Sequence, residues 1–130
     1  MNLNLLVLKD LYAICRFDKG ASLPPWIKKS VFYSVTKTQD ELSLVCNQDL
    51  IKTGETILIN KNWRCIKIDN LLDLSLTGII ADISKIFKEN KIPVFTISTY
   101  NTDYIFVKNQ NLENAIAILR SSGHQITAES

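Results

Sequence analysis

The sequence predicts an α+β fold of two β-α-β-β-α-β units in tandem. Each unit is an antiparallel sheet with helices on one face, and the first is degenerate, with short helices. Three observations lead there. The chain repeats itself, its second half carries an amphipathic helix between β-prone segments, and its first half keeps the strands but sets prolines where the matching helix would run. In the repeat, Val31-Phe32-Tyr33-Ser34-Val35-Thr36 aligns with Val94-Phe95-Thr96-Ile97-Ser98-Thr99. After a one-residue gap, Val45-Cys46-Asn47-Gln48-Asp49-Leu50 aligns with Val107-Lys108-Asn109-Gln110-Asn111-Leu112, and four of these six positions are identical. Upstream, Tyr12 to Phe17 has a counterpart in Trp63 to Ile68. Several matches in one chain order point to duplication.

The second half is the clearer copy. Trp63 to Asp69 is β-prone. Leu76 to Lys91 places Leu76, Ile79, Ile80, Ile83, Ile86 and Phe87 on one helical face, opposite Asp82, Lys85, Lys88 and Glu89. Ser75 or Thr77 is placed to cap that helix, because a hydroxyl accepts from an unpaired N–H of the first turn. Pro93 forbids its continuation, and Val94 to Thr99 is rich in β-branched residues. Tyr100-Asn101-Thr102 reads as a turn, and Asp103 to Val107 as the partner strand. Asn111 is the expected cap of a second helix carrying Leu112, Ala115, Ile116 and Leu119, which Gly123 ends. Gln125 to Ala128 supplies a last strand. The whole run is the ferredoxin-like pattern.

The first half shortens the helices. Pro24 and Pro25 limit the stretch between Phe17 and Val31 to one or two turns beginning near Pro25. Asn47 to Lys52 is a short connection and Thr56 to Ile59 a short strand before an Asn60-Lys61-Asn62 boundary. The expected division is therefore 1–61 for the N-terminal unit and 62–130 for the C-terminal one. A lone unit of about 60 residues buries little of its surface, so the two halves are expected to fold together.

Composition narrows the function. The chain has 130 residues, 15 Lys+Arg against 13 Asp+Glu, and one His. A net charge of +2 gives no basic footprint for nucleic acid. A single His removes two-His metal sites and leaves catalysis short of its commonest acid-base group. No metal ligands, catalytic residues or cofactor are expected. Met1 to Lys9 is apolar but lacks a basic n-region and a small-residue cleavage site, and no run reaches the ~20 apolar residues of a membrane span. A cytoplasmic protein is the expectation. Cys15, Cys46 and Cys65 are widely spaced in apolar runs and read as reduced, buried hydrophobes.

The segments Phe32 to Thr36, Glu41 to Cys46, Asp73-Leu74-Ser75-Leu76-Thr77-Gly78-Ile79 and Ile97-Ser98-Thr99-Tyr100-Asn101-Thr102-Asp103-Tyr104 resemble the small bacterial double-ACT proteins. These are similar in turn to the ACT repeats of the CASTOR family of cytosolic arginine sensors. The resemblance runs from about Leu8 to His124. It implies a non-enzymatic regulatory module that binds a small molecule, an amino acid by family habit, in a site between two ACT units.

The residues themselves suit such a ligand. A free amino acid needs N–H donors at its carboxylate and oxygen acceptors at its ammonium. The helix opening at Ser75, Leu76, Thr77, Gly78 and Ile79 offers unpaired N–H groups and the positive end of the macrodipole. Gly78 leaves room for a ligand to approach the backbone. Asp103 can accept from an ammonium, while Ser98, Thr99, Tyr100 and Asn101 complete the hydrogen bonding. Ser34, Val35 and Thr36 of the first half form the opposite wall in the CASTOR-like arrangement.

Each element also has a plainer reading. Asp73, Ser75 and Thr77 serve as helix caps, Gly78 as a packing position, and Asp103 as a solvated turn residue. Tyr100 and Tyr104 then cover the core edge, His124 makes a dipole contact at a helix end, and Trp26 and Trp63 are packing anchors. Four functions compete: an amino-acid sensor, a structural oligomerisation module with a degenerated pocket, an acylphosphatase-like enzyme, and an RNA binder on the open sheet face. Arg16, Arg64 and Arg120 lie outside any Gly-rich loop, which disfavours the enzyme, and no ribonucleoprotein motif is present. The expected partners are a small-molecule ligand and a second copy of the chain in a homodimer, with no nucleic acid and no membrane.

Overall fold

In the computed structural model the described residues are 2–52, 54, 58–70 and 78–130. The elements in order are β1 (Asn4–Val7), β2 (Tyr12–Phe17), a 3-10 helix (Pro25–Lys29), β3 (Ser34–Lys37), β4 (Leu42–Asn47), a 3-10 turn (Gln48–Leu50) and β5 (Leu58–Ile68). There follow α1 (Ile79–Glu89), β6 (Val94–Ser98), β7 (Asp103–Lys108), a 3-10 turn (Asn109–Asn111), α2 (Leu112–Ser121) and β8 (Gln125–Ala128). The chain has two compact units, Asp10–Trp63 and Met1–Lys9 with Arg64–Ser130.

In Asp10–Trp63 the strand order is β3-β4-β2-β5, all pairs antiparallel. Numbered within the unit this is 2-3-1-4, the ferredoxin-like order. The register sets Phe17 opposite Leu42, Cys15 opposite Leu44 and Ala13 opposite Cys46, so the period-2 pattern of both strands turns one apolar face inward. Ile27 from the Pro25–Lys29 helix covers it, and Trp26 packs against the same cluster. Pro25 stands at the start of that helix, as its fixed φ and missing N–H allow. The expected Asn60-Lys61-Asn62 boundary lies just before the point where the two units divide, after Trp63, and forms a bulge inside the strand β5. Tyr12 pairs with Trp63 and Ile14 with Asn60, so β5 spends one extra residue, and Asn62 adopts φ 69° there. Gln48 holds the bulge, its Oε1 accepting the Asn62 N–H at 2.8 Å.

In the other unit the order is β6-β7-β5-β1-β8. The expected boundary assigned residues 1–9 to the N-terminal unit; they belong here instead. β1 lies antiparallel to β5, with Leu5 opposite Ile68 and Val7 opposite Ile66, and parallel to β8, with Leu5 opposite Ile126. It thus separates two strands that a four-stranded ferredoxin-like sheet would pair directly, and adds a parallel pair with β8. The physical reason is the alternation Leu3, Leu5, Val7, which puts three apolar side chains into the core beside Ile66, Ile68, Ile105 and Val107. Helices α1 and α2 cover that face with Ile79, Ile83, Phe87, Ala115 and Leu119, as the heptad-like spacing required.

Both helices end in the same way. The Gly123 N–H donates to Arg120 O and the His124 N–H to Leu119 O, a Schellman closure with Gly123 at φ 96°. Lys91 and Ile92 donate correspondingly to Lys88 O and Phe87 O, with Lys91 at φ 56°. The helix expected over Leu76 to Lys91 is therefore Ile79–Glu89. Gly78 precedes it at φ 88° with no side-chain cap, and the caps expected at Ser75 or Thr77 lie outside the described residues. Asn111 occupies the cap position of α2 but makes no side-chain cap bond. The chain enters α2 from a 3-10 turn, whereas a side-chain cap needs an extended residue.

Candidate functional site

The end of β5 carries Lys67-Ile68-Asp69-Asn70. Ile68 faces the core, so Lys67 and Asp69 face the other way, and there they meet the β6–β7 turn. Together Lys67, Ile68, Asp69, Asn70, Thr99, Asn101, Thr102 and Tyr104 line a cavity of about 200 Å³. Lys67 Nζ lies 3.4 Å from Asp69 Oδ1, both side chains partly open to solvent. The turn is fixed locally. The Thr99 N–H donates to Thr102 O at 2.8 Å, and the Thr99 hydroxyl accepts the Thr102 N–H at 3.3 Å. It is tied to β5 by the buried Thr102 hydroxyl, which donates to Ile68 O at 2.7 Å. The opposite rim is tied to β1: the Asn4 N–H donates to Asn70 Oδ1 at 2.9 Å, and the Asp69 N–H to Asn4 O at 2.7 Å.

Such a site offers one cation, one carboxylate and two side-chain amides on a rigid frame. Its volume is below the roughly 300–1,000 Å³ of drug-sized pockets, which suits a single small metabolite. Among the described residues no three His, Cys, Asp or Glu side chains cluster as metal ligands, and no helix is long and apolar enough to cross a membrane.

Of the residues singled out from sequence, Thr99 and Asn101 line this cavity. Ser98 and Asp103 face each other across the hairpin, and the Ser98 hydroxyl donates to Asp103 Oδ1, so that carboxylate already has a partner. Tyr100 stands on the turn at 82% exposure, outside the lining. Ser75, Leu76 and Thr77 lie outside the described residues. Gly78 has no atom within 4 Å of the position a Cβ would take, so its φ of 88°, not a close approach, calls for glycine. Ile79 is a core residue. Ser34, Val35 and Thr36 sit on β3, in the Asp10–Trp63 unit.

Lys67, Asp69 and Asn70 were missed. Their signal was readable: two charges interrupt a strand whose alternate positions, Ile66 and Ile68, are fully apolar. His124 also departs from expectation. Instead of a cation at a helix end, it is a buried acceptor whose Nδ1 takes the Leu3 N–H at 3.1 Å. Burial, and then the positive N-terminus, hold its pKa below the ordinary 6.5. The three cysteines are buried and free, and burial pushes the Cys65 thiol up.

Residues 58–121 match the family model of the ACT domain, and residues 10–53 match a second model described as an N-terminal domain. No curated protein matches significantly. Among solved structures, a protein from Agrobacterium tumefaciens is 29% identical over 100% of this chain and 96% of its own, with a TM-score of 0.91. The aspartate kinase of Clostridium acetobutylicum, described as an allosteric enzyme, is 13% identical over 95% of this chain and 36% of its own, with a TM-score of 0.64. The regulatory subunit of aspartate kinase from Thermus thermophilus is 8% identical over 87% of this chain and 93% of its own, with a TM-score of 0.57. The fold is thus α+β and ACT-like, and residues 58–121 carry the ACT match.

Proposed function

We propose that this protein is a non-enzymatic regulatory module that binds a free amino acid in the cavity between the end of β5 and the β6–β7 turn. The carrying observation is the Lys67–Asp69 pair on the cavity wall, within the stretch that matches an ACT domain. A zwitterion inserted between these side chains meets a cation at its carboxylate and a carboxylate at its ammonium. Asn70, Thr99 and Asn101 then supply the remaining hydrogen bonds. The likeness to allosteric and regulatory aspartate kinase structures supports a regulatory role. The 2-3-1-4 strand order of Asp10–Trp63 supports reading that unit as a second, shortened ACT repeat, as in the CASTOR-like arrangement. A cytoplasmic homodimer completes the reading.

Thermal shift across the twenty amino acids tests it. A ligand at 100 times its dissociation constant adds about 2.7 kcal/mol of stability. Asp69→Asn and Lys67→Met should each weaken the response about tenfold or more, in line with loss of a charge-assisted contact. A melting point that no amino acid moves would leave the structural oligomerisation module as the better account. Size measurement over a concentration series checks the dimer.

A further inference from the structure

We propose that His124 is a proton-operated latch on the N-terminal end of β1. While neutral it holds the Leu3 N–H; once protonated it releases that group and loosens the Asn4 contacts that reach Asp69 and Asn70 on the cavity rim.

The geometry is specific. His124 is the chain's one histidine, 9% exposed, and follows Gly123 in the closure of α2. The backbone therefore fixes the ring's position. Its Nδ1 accepts the Leu3 N–H at 3.1 Å, while the Gln125 N–H donates to Leu3 O at 2.9 Å. An imidazole accepts through Nδ1 only when that nitrogen carries no proton, so the bond sets the tautomer with the hydrogen on Nε2. Protonation turns the acceptor into a donor facing another donor. Leu3 then loses a buried partner at the point where β1 begins, and the next residue, Asn4, makes both bonds to the cavity rim.

Protons have a way in. Leu3, Ile79, Asp82, Ile83, Ile86, Ser122 and His124 line a second cavity of about 240 Å³ that meets solvent. Asp82 of α1 is the charged side chain among these lining residues, Ser122 just beyond α2 is neutral and donates to Ile118 O, and the N-terminal ammonium also acts on the ring. Burial favours the neutral ring in the folded state. The stabilisation is therefore complete above the ordinary histidine pKa and is lost as pH falls below it, through the lowered folded value.

The latch stands apart from the ligand reading, while its effect on the cavity rests on it, and the experiment separates the two. Amide exchange of the full chain is followed at Leu3 and Asn4 from about pH 7.5 to about pH 5, corrected for intrinsic rates, beside His124→Gln, whose side-chain oxygen accepts at every pH. Wild-type protection should fall about tenfold or more, with the variant flat. A flat wild type overturns the latch, and so does an equal loss in His124→Gln, which would assign the change to a group other than His124. Should the variant not fold, imidazole nitrogen spectra of the wild type decide. Titration of His124 must move the Leu3 amide, and titration without that movement overturns the proposal. Amino-acid affinity at both pH values reads the rim. Equal affinity with a loosened β1 defeats the coupling alone, and no binding at neutral pH defeats the ligand reading while leaving the latch intact.

Discussion

The unit Asp10–Trp63 and the unit containing Arg64–Ser130 share a 2-3-1-4 order of strands, into which β1 inserts in the second, and differ in what covers the sheet. In the first, a single 3-10 helix contributes Ile27 to a core of six buried residues among those described. In the second, α1 and α2 lie over a core of fourteen, to which β1 adds Leu3, Leu5 and Val7. Strand order depends on alternation and hairpin pairing, which both units keep. Core size depends on helix length, which Pro24 and Pro25 restrict to a short 3-10 helix in one unit, while α1 and α2 run to 11 and 10 residues in the other. A unit with short helices can thus keep this strand topology, but it has less apolar burial, at about 25 cal/mol per Å², to set against chain entropy.

The largest test of that contrast removes a core anchor from the better-covered unit. Phe87 of α1 is fully buried, and Phe87→Ala should cost about 3–5 kcal/mol in urea unfolding. Leu44→Ala, in the smaller core, should cost about 2–5 kcal/mol, nearer the lower end where a thin cover can collapse onto the gap. Next, Thr102→Val leaves the buried Ile68 carbonyl without its hydroxyl donor and should cost about 1–3 kcal/mol, with amide exchange rising in the β6–β7 turn.

The two helix ends sharpen the comparison within one unit. Gly123→Ala forces an L-residue into φ 96° and brings a Cβ to 2.9 Å from Asn2 Oδ1, so a loss of about 1–2 kcal/mol is expected in the melting curve. Lys91 already bears that strain at φ 56°, and Lys91→Gly should stabilise the protein by about 1 kcal/mol or less. The smallest effect belongs to the exposed Lys85–Glu89 pair at 3.9 Å. Lys85→Ala should change stability by about 0.3–0.5 kcal/mol and less in high salt.

The fold was largely legible. Alternation in Tyr12–Phe17 and Leu42–Asn47, helical spacing from Ile79 to Phe87, Pro25 opening a short helix and Gly123 closing α2 are local signals, each with a local cause. The matched segments at Asn47-Gln48 and Asn109-Gln110 each lie where a strand passes into a 3-10 turn, with the turn beginning one residue apart. The helix limits were less legible, because a left-handed Lys91 has no compositional signature. The candidate site was half legible. Thr99 and Asn101 advertise themselves as turn polars, whereas Lys67 and Asp69 look like ordinary surface charges until the turn is seen to close over them.

By itself, then, the sequence determined most of the strands and helices after Asp10 and how their apolar faces run, because periodicity and turn chemistry act over a few residues. Only the tertiary structure decided where β1 goes, that Asn60 to Asn62 form a bulge within β5, and that His124 is a hydrogen-bond acceptor and not a cation. Each of these depends on a partner far away in the chain: Asn4–Val7 on β5 and β8, Asn62 on Gln48, and His124 on Leu3, 121 residues distant. Such pairings are set by which apolar faces and unpaired backbone groups can be satisfied together, a condition that no local window of sequence contains.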